Sequence, residues 1–200
     1  MNLVEKYLWD FLGWRMELID RPFPEVSVLR PRQHVDERGF FSEVYSRESF
    51  AAAAIGTEFI QDNHTRSVEQ GVVRGLHFQI PPLAQAKLVR VLRGAVQDVL
   101  VDLRHGSPTF GRHASIRLSA ELWNQVYIPE GFAHGYCTLA PGTEVFYKVN
   151  RPYSAAHDRG LLWNDPALGI EWSVDEERAI VSDKDRRQPL LAELPAFFRY

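Results

Sequence analysis

Between Val26 and Val149 the chain is a succession of short apolar or alternating runs separated by turn residues, most of them glycine or proline. The runs span residues 26–30, 39–45, 59–67, 72–79, 87–92, 96–103, 115–118, 125–128, 133–139 and 143–149. Gly71, Pro81-Pro82, Gly94, Gly106-Ser107-Pro108, Gly131 and Pro141-Gly142 separate them. Glycine reaches backbone angles closed to other residues and proline removes an N–H donor, so each break ends a ladder. Strands at roughly 8–12-residue spacing argue against βαβ units and predict an all-β sandwich or barrel. One helix is expected over 47–54, capped by Ser46, propagated by alanines and ended at Gly56. The charged, proline-interrupted stretch 178–194 reads as a turn and a short terminal helix.

Two hundred residues suit one domain, and hydrophobic and charged fractions of 45% and 24% are enough to build an ordinary core. The net charge of −3 gives no overall pull toward nucleic acid or an anionic membrane. An anionic ligand therefore has to be held by local arginines. The single cysteine, Cys137, rules out an internal disulfide and multi-cysteine metal motifs, fits a reducing cytoplasm, and reads as a small core residue. No stretch is long and apolar enough to span a bilayer as a helix. Ahead of Met16, Leu3, Val4, Tyr7, Leu8, Phe11 and Leu12 recur at helical spacing, but Glu5 and Asp10 interrupt them and no basic signal-peptide segment precedes them. Residues 1–15 are thus either an amphipathic helix that packs on the body or a partner, or a dispensable extension, the favoured reading. Residues 16–200 form the single domain.

Four side chains in strand-like runs carry chemistry. His77 lies between Leu76 and Phe78, so alternation turns it to the opposite face with Gly75 and Gln79. Lys87 opens the run after Pro81-Pro82 and would lie across a hairpin from His77, where a cation favours the uncharged imidazole that can accept a proton. A lysine is rarely buried without a purpose, and here it suits a developing enolate oxygen. The alternative is an exposed edge lysine. Tyr147 alternates with Phe146 and Lys148 and either faces the interior as an acid or packs as a bonded core phenol. His134, among small residues, is a ligand contact, a proton relay or a structural hydrogen-bonder.

A metal centre has little to build on. Two strand histidines at this separation suit a cupin barrel, but Phe78 and Gln79 follow His77, and Lys87 precedes any downstream carboxylate. The three protein ligands of a catalytic metal are missing, and an ammonium repels a cation. No glycine-rich phosphate loop or dinucleotide fingerprint is present. Arg38 and Arg74 are instead suited to clamp a diphosphate between them.

The blocks Asp36-Glu37-Arg38-Gly39-Phe40-Phe41-Ser42-Glu43, Gln61-Asp62-Asn63-His64, Gly71 through Gln79, Lys87 through Arg90, and Tyr127 through Gly135 occur in order. Tyr147-Lys148, His157 through Gly160, Trp163 through Pro166 and Ser182 through Asp185 follow. In these blocks, spread over about 26–191, the chain resembles the dTDP-4-dehydrorhamnose 3,5-epimerase family. That resemblance implies a cupin-type jelly roll (a double-stranded β-helix with short peripheral helices), a homodimer, no metal or other cofactor, and a dTDP-4-keto-6-deoxyhexose substrate. It implies His77 as general base assisted by Asp185, Lys87 as stabiliser of the enolate at the C4 oxygen, and Tyr147 as acid on the opposite face. It further implies ligand contacts from Arg38, Glu43, Gln61, Asn63, Arg74, His134, Asp158 and Lys184. Phe41, contributed by the partner chain, and Tyr153 would sandwich the thymine. The chemistry agrees with the residues: inverting a centre beside a ketone needs a neutral base, an electrophile and an acid on the far face. The alternatives are a 3- or 5-mono-epimerase of another deoxysugar pathway, a non-catalytic sugar-nucleotide-binding cupin and, more remotely, a metal-dependent cupin oxygenase.

Overall fold

The structure, a computed structural model, describes residues 16–200; the expectations for 1–15 lie outside the described residues. Two antiparallel sheets carry the fold. The first runs in the order β1 (Met16–Asp20), β2 (Ser27–Pro31), β11 (Gln125–Ile128), β7 (Lys87–Arg93), β13 (Thr143–Val149), β5 (Gln61–Ser67). The second runs β10 (His113–Ser119), β8 (Ala95–Asp102), β12 (Phe132–Thr138), β6 (Val72–Gln79), β14 (Asp158–Gly160), and β15 (Ile180–Val181) adds to β6 in parallel. Two short pairs stand apart: β3 (His34–Asp36) with β4 (Gly39–Phe41), and β9 (Arg104–His105) with β16 (Phe198–Arg199). From β6 to β8, and again from β11 to β14, successive strands alternate between the sheets, which is the winding of a cupin-type double-stranded β-helix.

That winding corrects one expectation. Strands β6 and β7 do not form a hairpin but lie in different sheets. Pro81 and Pro82 offer no N–H to a ladder, so the segment between the strands crosses from one sheet to the other. Lys87 nevertheless reaches His77, because its Nζ donates to the His77 carbonyl at 3.2 Å.

Alternation decides what each strand buries. Val28, Val89, Val91, Val126, Ile128 and Val145 of the first sheet meet Val96, Leu100, Leu118 and Phe132 of the second in an inter-sheet core. Leu76, Phe78, Val99, Val101 and Ala133 point out of the second sheet beneath Leu161, Leu168 and Phe198 of the C-terminal third. With both faces covered, every residue of β8 and β12 is buried, and at about 25 cal/mol per Å² this apolar burial dominates stability. Leu29 and Leu88 of the first sheet pack outward on Phe50, Ala53 and Ile55.

The helix α1 (Arg47–Ala52) is capped as expected: Ser46 accepts from the Ser49 amide at 3.2 Å. It ends earlier than Gly56. Ala54 takes φ +59°, the Ile55 amide reaches back to the Phe50 carbonyl at 2.9 Å, and the Ala54 amide reaches Ala51 at 3.0 Å. This is a Schellman stop with alanine where glycine is usual, and the buried pair Ile55 and Phe50 supplies its apolar contact. The run 39–45 is strand only to Phe41. Beyond it, Val44 gives its carbonyl to Gln125 Nε2 and Ser42 Oγ accepts from Trp123 Nε1, so side chains replace a ladder. The C-terminal stretch forms no α-helix but three single 3₁₀ turns, at Glu176–Arg178, Asp185–Arg187 and Leu191–Glu193.

Candidate active site

Between the sheets a cavity of about 510 Å³ opens to solvent. His77, Lys87, His134, Tyr136 and Tyr147 project into it from four strands, and Ser182, Lys184 and Asp185 close it from the C-terminal segment. Two glycines let the walls come together. A Cβ on Gly75 would stand 2.6 Å from the Gly135 Cα, and Gly75 has φ +121°, so β6 and β12 touch backbone to backbone there. This close approach sets His77 opposite His134 in register.

His77 faces the cavity while Leu76 and Phe78 sit in the outer core, as alternation requires. Its Nε2 lies 2.6 Å from Asp185 Oδ1, and the other carboxylate oxygen accepts the Gly75 amide at 3.3 Å. Burial opposes the charge on Asp185, but the bond and charge of His77, with the Gly75 and Ser182 bonds, outweigh it and hold the carboxyl below its ordinary range. The ring is thereby fixed and the dyad's acid stays ionised. Its segment is anchored by β15 on β6 and by the Ser182 hydroxyl, which accepts the Asp185 amide.

Lys87 is 8% exposed. Burial pulls its ammonium down from 10.5 to about 8, against the opposing charges of Asp98 and Asp158. Tyr147, on β13, is half-buried; burial raises its phenol above the ordinary value despite Arg74, which keeps its proton in place at neutral pH. A basic dyad, a buried cation and a protonated phenol therefore share one compartment. Such a set can remove a proton beside a carbonyl, hold the enolate and return a proton.

His134 is 6% exposed, and its Nε2 bonds Asp98 Oδ2 at 2.8 Å. Burial, the largest influence, lowers its pKa despite that carboxylate, so the ring is neutral. Of the other residues implied as ligand contacts, Arg74 and Lys184 also line the cavity. Arg74 donates to Ser67 Oγ at 3.2 Å, and Lys184 pairs with Asp158. Tyr153 donates to Asp158 at 3.4 Å, and its amide bonds the Gln61 side chain, which in turn donates to Asn63. These four form a polar rim that does not line the cavity itself. Arg38, Phe41 and Glu43 do not line it either: Arg38 pairs with Asp36 on the β3–β4 hairpin, Phe41 is 71% exposed, and Glu43 accepts from Ser46 and Ser49 at the start of α1. Of the two arginines that the sequence suggested as a diphosphate clamp, Arg74 lines the cavity and Arg38 does not.

Sequence reasoning missed Asp98, Tyr136 and Ser182. A carboxylate in the apolar run Val96 to Leu103 is the legible signal for the first. Tyr136 stands in an apolar strand with no pattern to single it out, and its hydroxyl meets Thr65 Oγ1 at 2.8 Å inside the cavity. Cys137 is buried, as expected, with its thiol pushed up to about 11. Among the described residues, no three His, Cys, Asp or Glu side chains gather as a metal site, and no helix is long and apolar enough to cross a membrane.

Comparison with known proteins converges on one family. The sequence model described as dTDP-4-dehydrorhamnose 3,5-epimerase matches residues 20–193. The enzyme of that name from Sinorhizobium fredii is 51% identical over 176 residues, covering 88% of this chain and 90% of its own. The crystal structure of the Bacillus anthracis enzyme with TDP and PPi bound has a TM-score of 0.85 at 48% identity, over 88% of this chain and 99% of that one. The Legionella pneumophila dTDP-6-deoxy-D-glucose-3,5-epimerase in complex with dTDP-4-keto-L-rhamnose has a TM-score of 0.87 at 39% identity, over 92% and 98%.

Proposed function

Because this chain belongs to the dTDP-4-dehydrorhamnose 3,5-epimerase family, we propose that it converts dTDP-4-dehydro-6-deoxy-D-glucose to dTDP-4-dehydro-L-rhamnose. The observation that carries the reading is the convergence of the His77–Asp185 dyad, buried Lys87 and Tyr147 on one cavity. His77 takes the proton from the carbon beside the C4 ketone, and Asp185 stabilises the imidazolium. Lys87 donates to the C4 oxygen as charge moves onto it, where a water-poor site makes an ammonium effective. Tyr147 gives a proton to the opposite face and inverts the centre. The same groups act at C3 and C5, so the sugar ring changes pose between the two events.

Arg74 and Lys184, cationic at the cavity, suit the diphosphate, and Tyr153, 61% exposed at the rim, suits the thymine. The working unit in this reading is a homodimer. The β3–β4 hairpin leaves Val35 and Phe41 75% and 71% exposed, apolar surface that suits an interface, and the family resemblance implies that Phe41 reaches the thymine of the partner chain's site. The reaction proceeds without metal or other cofactor: both cavity histidines are engaged by carboxylates, and Lys87 supplies the positive charge. A cytoplasmic location fits the lone reduced cysteine.

The test is to incubate the 4-keto sugar nucleotide with the protein in D₂O and follow C3 and C5 by NMR. Deuterium entering at both carbons, with the L-rhamno product reduced by a pathway reductase and NADPH, supports the reading. Deuterium at one carbon alone would make the protein a mono-epimerase, and dTDP binding without exchange would make it a binding module.

A further inference from the structure

Lys87 carries its ammonium where little solvent reaches, and a buried charge needs a counter-charge. Two carboxylates act on it, Asp98 and Asp158, and a third, Asp185, lines the same cavity. Asp185 is committed, one oxygen to His77 and the other to the Gly75 amide. Asp158 is half-buried at the rim and is held by Lys184 and Tyr153. Asp98 differs from both. It is fully buried, His134 holds its Oδ2 at 2.8 Å, and its Oδ1 is the one fully buried side-chain polar atom among the described residues with no hydrogen-bond partner. Leaving such an oxygen unsatisfied is costly unless its charge is used.

We propose that Asp98 is a positioning residue: its carboxylate, anchored by His134, is the buried counter-charge that keeps Lys87 an ammonium. The groups around Lys87 agree. Among them are His77 and Arg74 on β6, His134 and Tyr136 on β12, Tyr147 on β13, Asp158 on β14, and Lys184 and Asp185 on the C-terminal segment. Its register partners on β11 and β13, Ile128 and Val149, are uncharged. Of the carboxylates, Asp98 supports the ammonium most and Asp158 next, against a burial that favours the free amine. His134 completes the device. Its burial keeps it neutral, so it fixes Asp98 without adding a competing positive charge.

The inference depends on the proposed function only for what the ammonium does, so its test uses substrate-free protein. The chain has four lysines, Lys6, Lys87, Lys148 and Lys184. Labelling them with ¹³C at Cε and deleting one signal with Lys87→Met assigns the Lys87 titration by NMR. Asp98→Asn keeps an oxygen for His134 and removes only the charge. Its Lys87 midpoint should fall by about one to two pH units, within the ~1–3 units that a nearby opposite charge is worth. The alkaline limb of kcat/KM, which follows the free protein's groups, should fall with it, while kcat/KM on the acid side, where Lys87 keeps its proton in both proteins, changes little. A purely structural role would instead lower kcat/KM equally at every pH. An unchanged Lys87 midpoint in folded Asp98→Asn would overturn the proposal. Should Asp98→Asn fail to fold, the double variant Asp98→Asn with Lys87→Met, which buries neither charge, should fold. If it also fails, Asp98 is holding the fold for other reasons and the proposal falls.

Discussion

Replacing Lys87 with methionine should make the protein more stable and almost inactive. The folded protein holds this ammonium to about pH 8, whereas an exposed lysine holds it to 10.5. At ~1.4 kcal/mol per pH unit, that gap makes the buried charge cost roughly 3 kcal/mol at neutral pH. The sign follows from proton counting. Between about 8 and 10.5 the unfolded chain binds the proton and the folded one does not, so this lysine's contribution to stability rises with pH across the window. Below 8 the full cost is present, and above 10.5 it is gone. Methionine keeps the length and apolar packing of the side chain without the charge. Urea unfolding at pH 7 should therefore show Lys87→Met more stable by about 2–3 kcal/mol. That advantage should shrink steadily above pH 8. Comparing the two proteins at each pH cancels Tyr136 and Tyr147, whose phenols burial raises. Turnover should fall by about 10²-fold or more, the typical cost of one preorganised electrostatic group. A Lys87→Met protein less stable than the parent at pH 7, or an advantage independent of pH, would refute the assignment of a desolvated ammonium.

Four further outcomes are expected. In the parent protein, kcat/KM should decline as pH rises through about 8, as Lys87 of the free protein loses its proton, and a pH–rate profile reads this directly. Tyr147→Phe should cut product formation by about 10²–10⁴-fold in a reductase-coupled assay while dTDP binding persists. Ala54→Gly should stabilise the protein by about 0.5–1 kcal/mol in urea unfolding, because Ala54 is exposed at φ +59° and glycine adopts that angle without strain. Gly75→Ala should cost about 2–5 kcal/mol, since its Cβ would stand 2.6 Å from Gly135 and 2.8 Å from the His134 carbonyl; thermal unfolding measures the loss.

The strands were legible because their rules are local. Val72–Gln79, Gln125–Ile128 and Thr143–Val149 match the runs read from alternation and glycine breaks. The orientation of His77 followed from its apolar neighbours in the same way. What failed depends on long-range closure. Pairing of β6 with β12 rather than β7 is set by the backbone contact of two glycines sixty residues apart (75 and 135), which no local pattern announces. The strands Asp158–Gly160 and Ile180–Val181 are short pieces without alternation that exist because they cover the edge of β6. Asp185 came from family resemblance, not from periodicity, since its segment is a 3₁₀ turn with no repeating signal. Asp98 went unread because its partner His134 lies 36 residues away and only the fold joins them.

In the proposed mechanism one imidazole, steadied by Asp185, abstracts the protons at both sugar carbons. The most direct test is His77→Ala in D₂O with the 4-keto sugar nucleotide, following deuterium entry at C3 and C5 by NMR. Exchange at the two positions should fall together, by about 10²–10⁴-fold each. Exchange persisting at either carbon near the parent rate would contradict the claim and require a second base.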